Sequence, residues 1–538
     1  MKKLSHLYLE IPKKLLKDGL LSEIVAKGFV LPERTFPPSF HLTGKGFFCA
    51  GYFVCYNKKV TFEEIVELCK EGGWDLLGNL VGDFLIIYCD FAKNEIFLLT
   101  DQTGKFPCFF SVEDDKFVLS TDFETVKDKL SSLTLNIGAA FGLISRQILV
   151  SDQTVVAEIN QVPPATLLKI KNDFSYSLTP LVDLDKFLEQ RQQPYASAEK
   201  FSNDFLLSLK RTIAERLSSI EHLPFAGDIS SGFDSSLVVY LLKKQTKKSF
   251  KCYCGISKYT LGDTHPKIVE ELAQKYGLII KYINEDPFYP FASKNDLKRA
   301  AKIPNQIAEG LLFHFYSYPA KEGIKIEFTG EGGDEIYKAH AMDVLSPFPV
   351  QEEYFWTVKK LKFGLDKIFT DKGIQALLDK ERFQRKKIFP SIISPSAILV
   401  NSGLFPVYWE TGIWPMTPFI DPRLVQLARM IPRKGSKALS KQEIWKTREE
   451  IFAPSQFRPK EGPVGHVQLF LDKKQDFIIS VLKKSILAQK GWIKASEIID
   501  DMKKGDTHKY LEGDALSFLL ATLQLEYFIQ QNNIKISD

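Results

Sequence analysis

No stretch of the 538-residue chain approaches eighteen uninterrupted apolar residues, which excludes a simple hydrophobic membrane-spanning helix. No charge sign dominates either. The formal net charge is +5, and the basic runs, such as Lys359-Lys360 and Arg385-Lys386-Lys387, are short. That speaks against a nucleic-acid surface, which gathers basic residues on one face. Cysteines number seven, too few and odd in count for a disulfide framework in so long a chain. Cys252-x-Cys254 lacks a second Cys or His pair at metal-ligand spacing, so a buried, reduced thiol pair is expected. The basic start Met1-Lys2-Lys3 runs into Glu10, Pro12 and Lys13 with no apolar segment between, so no signal peptide is read. The expected compartment is cytoplasmic.

The composition that is present suits a globular protein with a real core. Hydrophobic residues make up 44%, charged residues 25%, and 42 Phe supply bulky packing. At roughly 100–200 residues per domain, two or three domains are expected. The first part, to about residue 185, holds short apolar runs such as Leu85–Asp90, Glu95–Thr100 and Lys116–Ser120, punctuated by Asp, Asn, Gly and Pro. They predict stacked antiparallel sheets. A polar stretch, Glu189–Ala198, has linker composition. After it, strands and helices alternate: Pro224–Ile229, then a helix to Lys244; Phe250–Ile256, then a helix to Tyr276; Leu278–Ile283; and Lys325–Thr329. Such alternation predicts a parallel sheet with helices on both faces and ligands at the C-terminal strand ends. The rest of the chain reads as mainly helical.

Two loops at strand ends carry chemistry. The first is Ile229-Ser230-Ser231-Gly232-Phe233-Asp234-Ser235-Ser236. Its small residues and the helix that follows suit an oxyanion. Asp234 would repel a phosphate on its own, so its useful role is to hold a Mg²⁺. Taken alone, the loop reads equally as a Ser-rich helix cap. The second is Phe328-Thr329-Gly330-Glu331-Gly332-Gly333-Asp334-Glu335. Three glycines around an acid imply close approach of backbone to something, and the acids suit metal binding and proton transfer.

Together, Ser-x-Gly-x-Asp-Ser and Gly-Glu-Gly-x-Asp-Glu, about a hundred residues apart, resemble the synthetase domain of the asparagine synthetase family. Pro418-Phe419-Ile420-Asp421 and Arg458-Pro459-Lys460-Glu461 look like two further family segments. Gly82-Asp83-Phe84, Asp101 to Pro107 and Leu119-Ser120-Thr121 look like its glutaminase-type domain. The resemblance implies an α+β glutaminase-like (Ntn-type) sandwich over residues 1–188. It implies an α/β ATP-pyrophosphatase domain (adenine nucleotide alpha hydrolase-like), with a parallel sheet and a helical C-terminal part, over 199–538.

It implies ATP and Mg²⁺ as cofactors. Ser230, Ser231, Gly232, Asp234, Ser235, Ser236, Thr329 and Gly330 would bind ATP, and Asp234 and Asp334 the metal. Glu331 would take a proton from the attacking amine, and Lys460 would stabilise negative charge. The implied partners are a small-molecule or peptide carboxylate and an amine, with ammonia from a separate source or a peptide precursor; no nucleic acid and no membrane are expected. The implied reaction is amide formation through an acyl-adenylate. Intramolecular cyclisation of the lasso-peptide or β-lactam type and a non-catalytic nucleotide-binding relative are the alternatives.

Two positions depart from the family pattern. Glutamine-dependent members carry Cys after the initial Met, where this chain has Lys2, so glutamine hydrolysis is not expected. Ser231 stands where the family usually has Gly; it adds a donor, or forces the loop open if φ there has to be positive.

Overall fold

The computed structural model describes residues 8–12, 41–43, 47–54, 60–113, 115–144, 151–182, 195–220, 223–258, 264–302, 309–334, 364–378, 389, 391–393, 395–428, 430–431, 439–457, 465–511 and 515–536. Ten strands build the first part: β1 (Tyr8–Pro12), β2 (His41–Thr43), β3 (Phe47–Val54), β4 (Val81–Asp90), β5 (Glu95–Thr100), β6 (Phe109–Val112), β7 (Lys116–Ser120), β8 (Asn160–Gln161), β9 (Thr166–Ile170) and β10 (Tyr176–Pro180). They form two antiparallel sheets, ordered β1-β7-β6-β8 and β10-β9-β5-β4-β3-β2. Strand β4 is apolar almost throughout because both its faces are covered. Leu85, Ile87 and Cys89 enter one core, while Phe84 and Ile86 meet Ile65 and Cys69 of the helix Phe62–Glu71 in another. That helix starts on a capping box between Thr61 and Glu64 and stops at Gly72, whose φ of 75° most side chains avoid.

The second part is organised by β11 (Phe225–Asp228), β12 (Lys251–Ile256), β13 (Ile279–Asn284), β14 (Ile326–Phe328) and β15 (Trp414–Met416). Their order is β13-β12-β11-β14-β15, and every pairing is parallel. The chain thus winds outward from β11 in one direction, then returns to β11's other side with β14. The winding reverses between β11 and β14, where such sheets open a crevice for ligands. Helices Phe233–Gln245 and Thr264–Tyr276 follow β11 and β12. The remaining described chain is mostly helical, ending in Ala515–Asn532, which is buried along most of its length. Among the described residues, no helix is long and apolar enough to cross a membrane. Residues 189–194 of the expected linker lie outside the described residues.

One hydrophobic core runs through both parts, from Leu85 and Phe106 to Phe328, Trp414 and Trp445. A buried polar knot crosses the same boundary. Lys105, with a fully covered side chain, donates to Asp83 Oδ2 at 3.0 Å and to the Pro415 carbonyl. Trp414 Nε1 donates to the same Asp83 oxygen at 3.0 Å, and Phe106 stacks on the Trp414 ring at 4.9 Å. The Cys252 and Cys254 thiols are buried and free, as their alternation with Tyr253 suggests.

Asp421 ties the helical part to this frame. Arg216 on the helix Ala198–Ser219 donates to its Oδ2 at 3.0 Å, and Arg423 Nε donates to its Oδ1 at 2.8 Å. Burial alone would push this carboxyl up; the bonds from Arg423 and the charge of Arg216 outweigh it and hold it below its usual range. Removing one partner from a buried ion pair strands the other charge. Asp421→Ala should therefore lower the unfolding free energy by about 3–5 kcal/mol in denaturant titration, from the usual penalty for breaking a buried pair. A loss under about 1 kcal/mol would show that the pair is not a structural anchor.

Candidate active site

Both candidate loops leave the strands that flank the reversal. After β11, Gly232 occupies the N-cap of the helix Phe233–Gln245 in extended conformation and offers no side-chain cap. Ser230 closes the turn instead: its N–H donates to Ser235 Oγ at 3.0 Å, and its Oγ accepts from the Gly232 N–H at 3.1 Å. Ser236 Oγ donates to the Gly232 carbonyl at 2.7 Å. Gln456 locks the loop from outside, with Nε2 3.2 Å from the Gly232 carbonyl and 3.0 Å from Ser236 Oγ.

Ser231 is accommodated without strain, because it does not occupy the left-handed region. Its side chain turns inward, 2% exposed, with Oγ 2.9 Å from His265 Nδ1; His265 Nε2 lies 3.3 Å from Cys254 Sγ. The condition for an opened loop, a positive φ at Ser231, is not met.

After β14, the Thr329 N–H donates to the Met416 carbonyl of β15 at 2.9 Å. Thr329 Oγ1 accepts from the Glu331 N–H at 3.3 Å. Gly332 turns the chain at φ 85°. The glycines here are required by contact. A Cβ on Gly330 would lie 2.4 Å from the Ser235 backbone nitrogen, and one on Gly333 would lie 2.2 Å from Asp234 Cγ. The second loop therefore rests directly on the first.

That contact brings Asp234 and Asp334 to one cation. Lys441 Nζ donates to Asp234 Oδ2 and, at 3.0 Å, to Asp334 Oδ1. Lys441 is the first residue of the helix Lys441–Lys446, started by a capping box between Ser440 and Glu443. An ammonium held between two carboxylates marks a position with the right donor chemistry for a divalent cation. The pair therefore fits Mg²⁺, with Lys441 standing at that position.

Lys460 lies outside the described residues. Lys441, Gln456 and His265 are site residues that sequence reasoning missed; the Ser440-x-x-Glu443 pattern marks the helix start that delivers Lys441.

The family pattern of glutamine amidotransferase domains matches residues 56–178, and that of asparagine synthases matches residues 205–387. A putative glutamine-hydrolysing asparagine synthetase of Methanocaldococcus jannaschii is 24% identical over 286 residues, covering 52% of this chain and 48% of that protein. The chain thus carries, over the matched residues, the domain pair of the asparagine synthetase family. Its two parts are the glutamine amidotransferase-like sandwich and the ATP-pyrophosphatase-like parallel sheet of that family, followed by helices. Amidase chry2 of Gibberella zeae is 23% identical to this asparagine synthetase relative over 341 residues, covering 58% of this chain and 50% of that protein. The chain spans about half the length of the curated relatives it matches. Among solved structures, the U34-tRNA thiolase of Methanococcus maripaludis overlaps at a TM-score of 0.22, with 14% identity over 57% of this chain and 80% of that one.

In this family member the sheet end also carries acids outside the two recognised loops. Asp228, the last residue of β11, is pushed up to about 7, first by burial and then by the charges of Glu285 and Glu331; Glu327 faces it as well. Between about pH 4, the ordinary carboxyl value, and about pH 7, native Asp228 holds a proton that the unfolded chain has released. Its contribution to stability therefore falls as pH rises through that window. Asp228→Asn removes the dependence. The variant should gain on the parent in thermal midpoint from pH 4 to 7, with no further gain above that. Parallel curves would contradict the assignment.

Proposed function

We propose that this chain forms an amide by activating a carboxylate with ATP as its acyl-adenylate, releasing pyrophosphate, and then passing the acyl group to an amine, releasing AMP. The observation that carries this reading is the convergence of Asp234 and Asp334 on a single cation where the sheet reverses. Membership of the asparagine synthetase family supports ATP use and amide formation in general.

In this reading the loop Ser230–Ser236 receives the pyrophosphate portion. The N-terminus of Phe233–Gln245 adds favourable potential there, and the half-exposed Gly232 permits close approach. Asp234 and Asp334 would hold Mg²⁺, which supplies charge neutralisation to the phosphates. Thr329 and Gly330 border the adenylate, held by the β15 carbonyl and by the first loop. Glu331 accepts the proton that the attacking nitrogen sheds. Lys460 stabilises the charge of the tetrahedral intermediate, and Lys441 neutralises the carboxylate pair before nucleotide enters.

The nitrogen comes from a source other than glutamine hydrolysed on this chain. Every described cysteine is buried, and burial raises each of their thiols above the usual value. A nucleophilic thiol needs exposure and a lowered value.

Incubating the full chain with Mg-ATP, candidate acids (aspartate first) and ammonia, and following AMP and pyrophosphate, tests the reading. Acid-dependent release of both is expected, with no glutamate from added glutamine. Asp234→Asn should reduce release at least about a hundredfold, the scale on which loss of one key electrostatic group acts. ADP and phosphate as the products, or no nucleotide binding at all, would sink the proposal.

A further inference from the structure

Beneath the nucleotide loops, the same sheet end holds acids that the phosphate chemistry leaves unused. Asp228 ends β11, Glu285 follows β13, and Glu327 lies within β14. Glu327 is 0% exposed, and neither of its carboxyl oxygens has a hydrogen-bond partner. Alternation fixes its direction. Ile326 and Phe328 enter the large core, so Glu327 points to the opposite face, in register with Ala226. On that face lie Tyr253, Tyr316 and Tyr408. Asp228 interacts with the charge of Glu327, and its carboxyl makes no hydrogen bond or ion pair among the described residues. Glu285 closes in over Gly255, where a Cβ would lie 2.0 Å from Oε1. Phe288 and His314 stack at 3.4 Å beside it.

This arrangement is hard to explain as packing. A buried polar group without a partner destabilises a fold by about 1–3 kcal/mol, and a leucine at 327 would satisfy the same apolar surroundings better. Among the described residues, no three Asp, Glu, His or Cys side chains converge closely enough to ligate one metal ion. The carboxyl groups are spread along a wall of tyrosines instead. A spread of this kind matches an extended organic cation better than a bare ion: the ammonium meets the carboxylates and the body meets the rings.

We propose that this face of the sheet binds the primary ammonium group of an organic amine, with Asp228 at the strand end and Glu327 beneath, and that this amine is the nucleophile of the amide-forming step. The nucleophile role rests on the function proposed above; the binding site does not. The ammonium passes one proton to Asp228. The freed nitrogen lone pair attacks the acyl carbonyl and a C–N bond forms. The bond from the acyl carbon to the phosphate oxygen breaks, AMP leaves with the electron pair, and the second nitrogen proton goes to Glu331.

Thermal unfolding of the full chain tests the site directly, using methylammonium, 1,4-diaminobutane, ammonium chloride and tetramethylammonium at matched ionic strength. The primary organic amines should raise the midpoint saturably by at least about 2 °C, as expected for a ligand bound only by the native state. Tetramethylammonium, which has no N–H, should not. Asp228→Asn and Glu327→Gln should each abolish the saturable rise. Glu327→Leu should abolish it while raising the midpoint without ligand, which separates lost binding from a damaged fold. Equal shifts with tetramethylammonium, or unchanged shifts in Asp228→Asn, overturn the site. Saturation by ammonium chloride as strong as by the organic amines overturns the organic substrate. AMP release in the same samples keeps the two ideas apart: saturable amine binding without AMP release condemns the amide-forming reading alone, and AMP release without amine binding condemns the site alone.

Discussion

The contact between Gly330 and the backbone of Ser235 is the constraint on which the site depends. Parallel pairing makes β11 and β14 neighbours, so the loops that leave them emerge side by side. Neighbouring strands alone would leave the loops a side chain apart. Glycine at 330 and 333 removes that spacer, and the second loop settles onto Asp234 and Ser235. The separation of Asp234 and Asp334 follows from this backbone packing rather than from any bond between the two acids. Lys441 then finds both within reach of one ammonium.

The first part of the chain bears on the same geometry, though none of its described residues is seen to bond to the loops. Asp83 and Lys105 lie in the segments that resemble a glutaminase-type domain, yet here they grip β15: Asp83 through Trp414 Nε1, Lys105 through the Pro415 carbonyl. The next residue, Met416, supplies the carbonyl that anchors Thr329. One short strand thus carries the grip of the first part on one side and the start of the second loop on the other. The buried Lys105–Asp83 pair gives that docking a fixed register, since a displaced neighbour would leave a charge desolvated and alone. The sandwich therefore serves the synthetase sheet as a buttress whether or not it hydrolyses anything.

Much of this was legible in the residues. Small residues after an apolar strand announced the Ser230–Ser236 turn, and three glycines around Glu331 announced a close approach, because both signals are local. What approaches Gly330 was not legible, since the answer is Ser235, about a hundred residues away. Lys441 and Gln456 were missed for the same reason: each sits in an ordinary polar stretch, and only the fold carries it to the first loop. Ser231 was read two ways, as an added donor and through the conformation that a glycine there would permit. The backbone needs no such freedom, and the hydroxyl finds His265 instead. Glu327 did leave a trace. In Lys325-Ile-Glu-Phe-Thr329, an acid alternates with apolar neighbours on a strand central to the sheet, where both faces are covered.

Two anionic regions share the C-terminal end of this sheet, and they differ in how their charge is met. Around the phosphate loops the chain provides its own counter-ion: Lys441 holds Asp234 and Asp334 together. The counter-ion there is a point charge on a flexible stem, held by two carboxylates at once. Around Asp228 and Glu327 no described lysine or arginine plays that part. Burial and mutual repulsion meet the charge there by favouring the protonated acids, so the region can take up a cation only by giving protons away. An ammonium entering beside such acids is stabilised while its own proton finds an acceptor nearby. The two regions thus meet their acids by different means, one with a lysine and the other with burial that favours the proton, a few residues apart along β11 and β14.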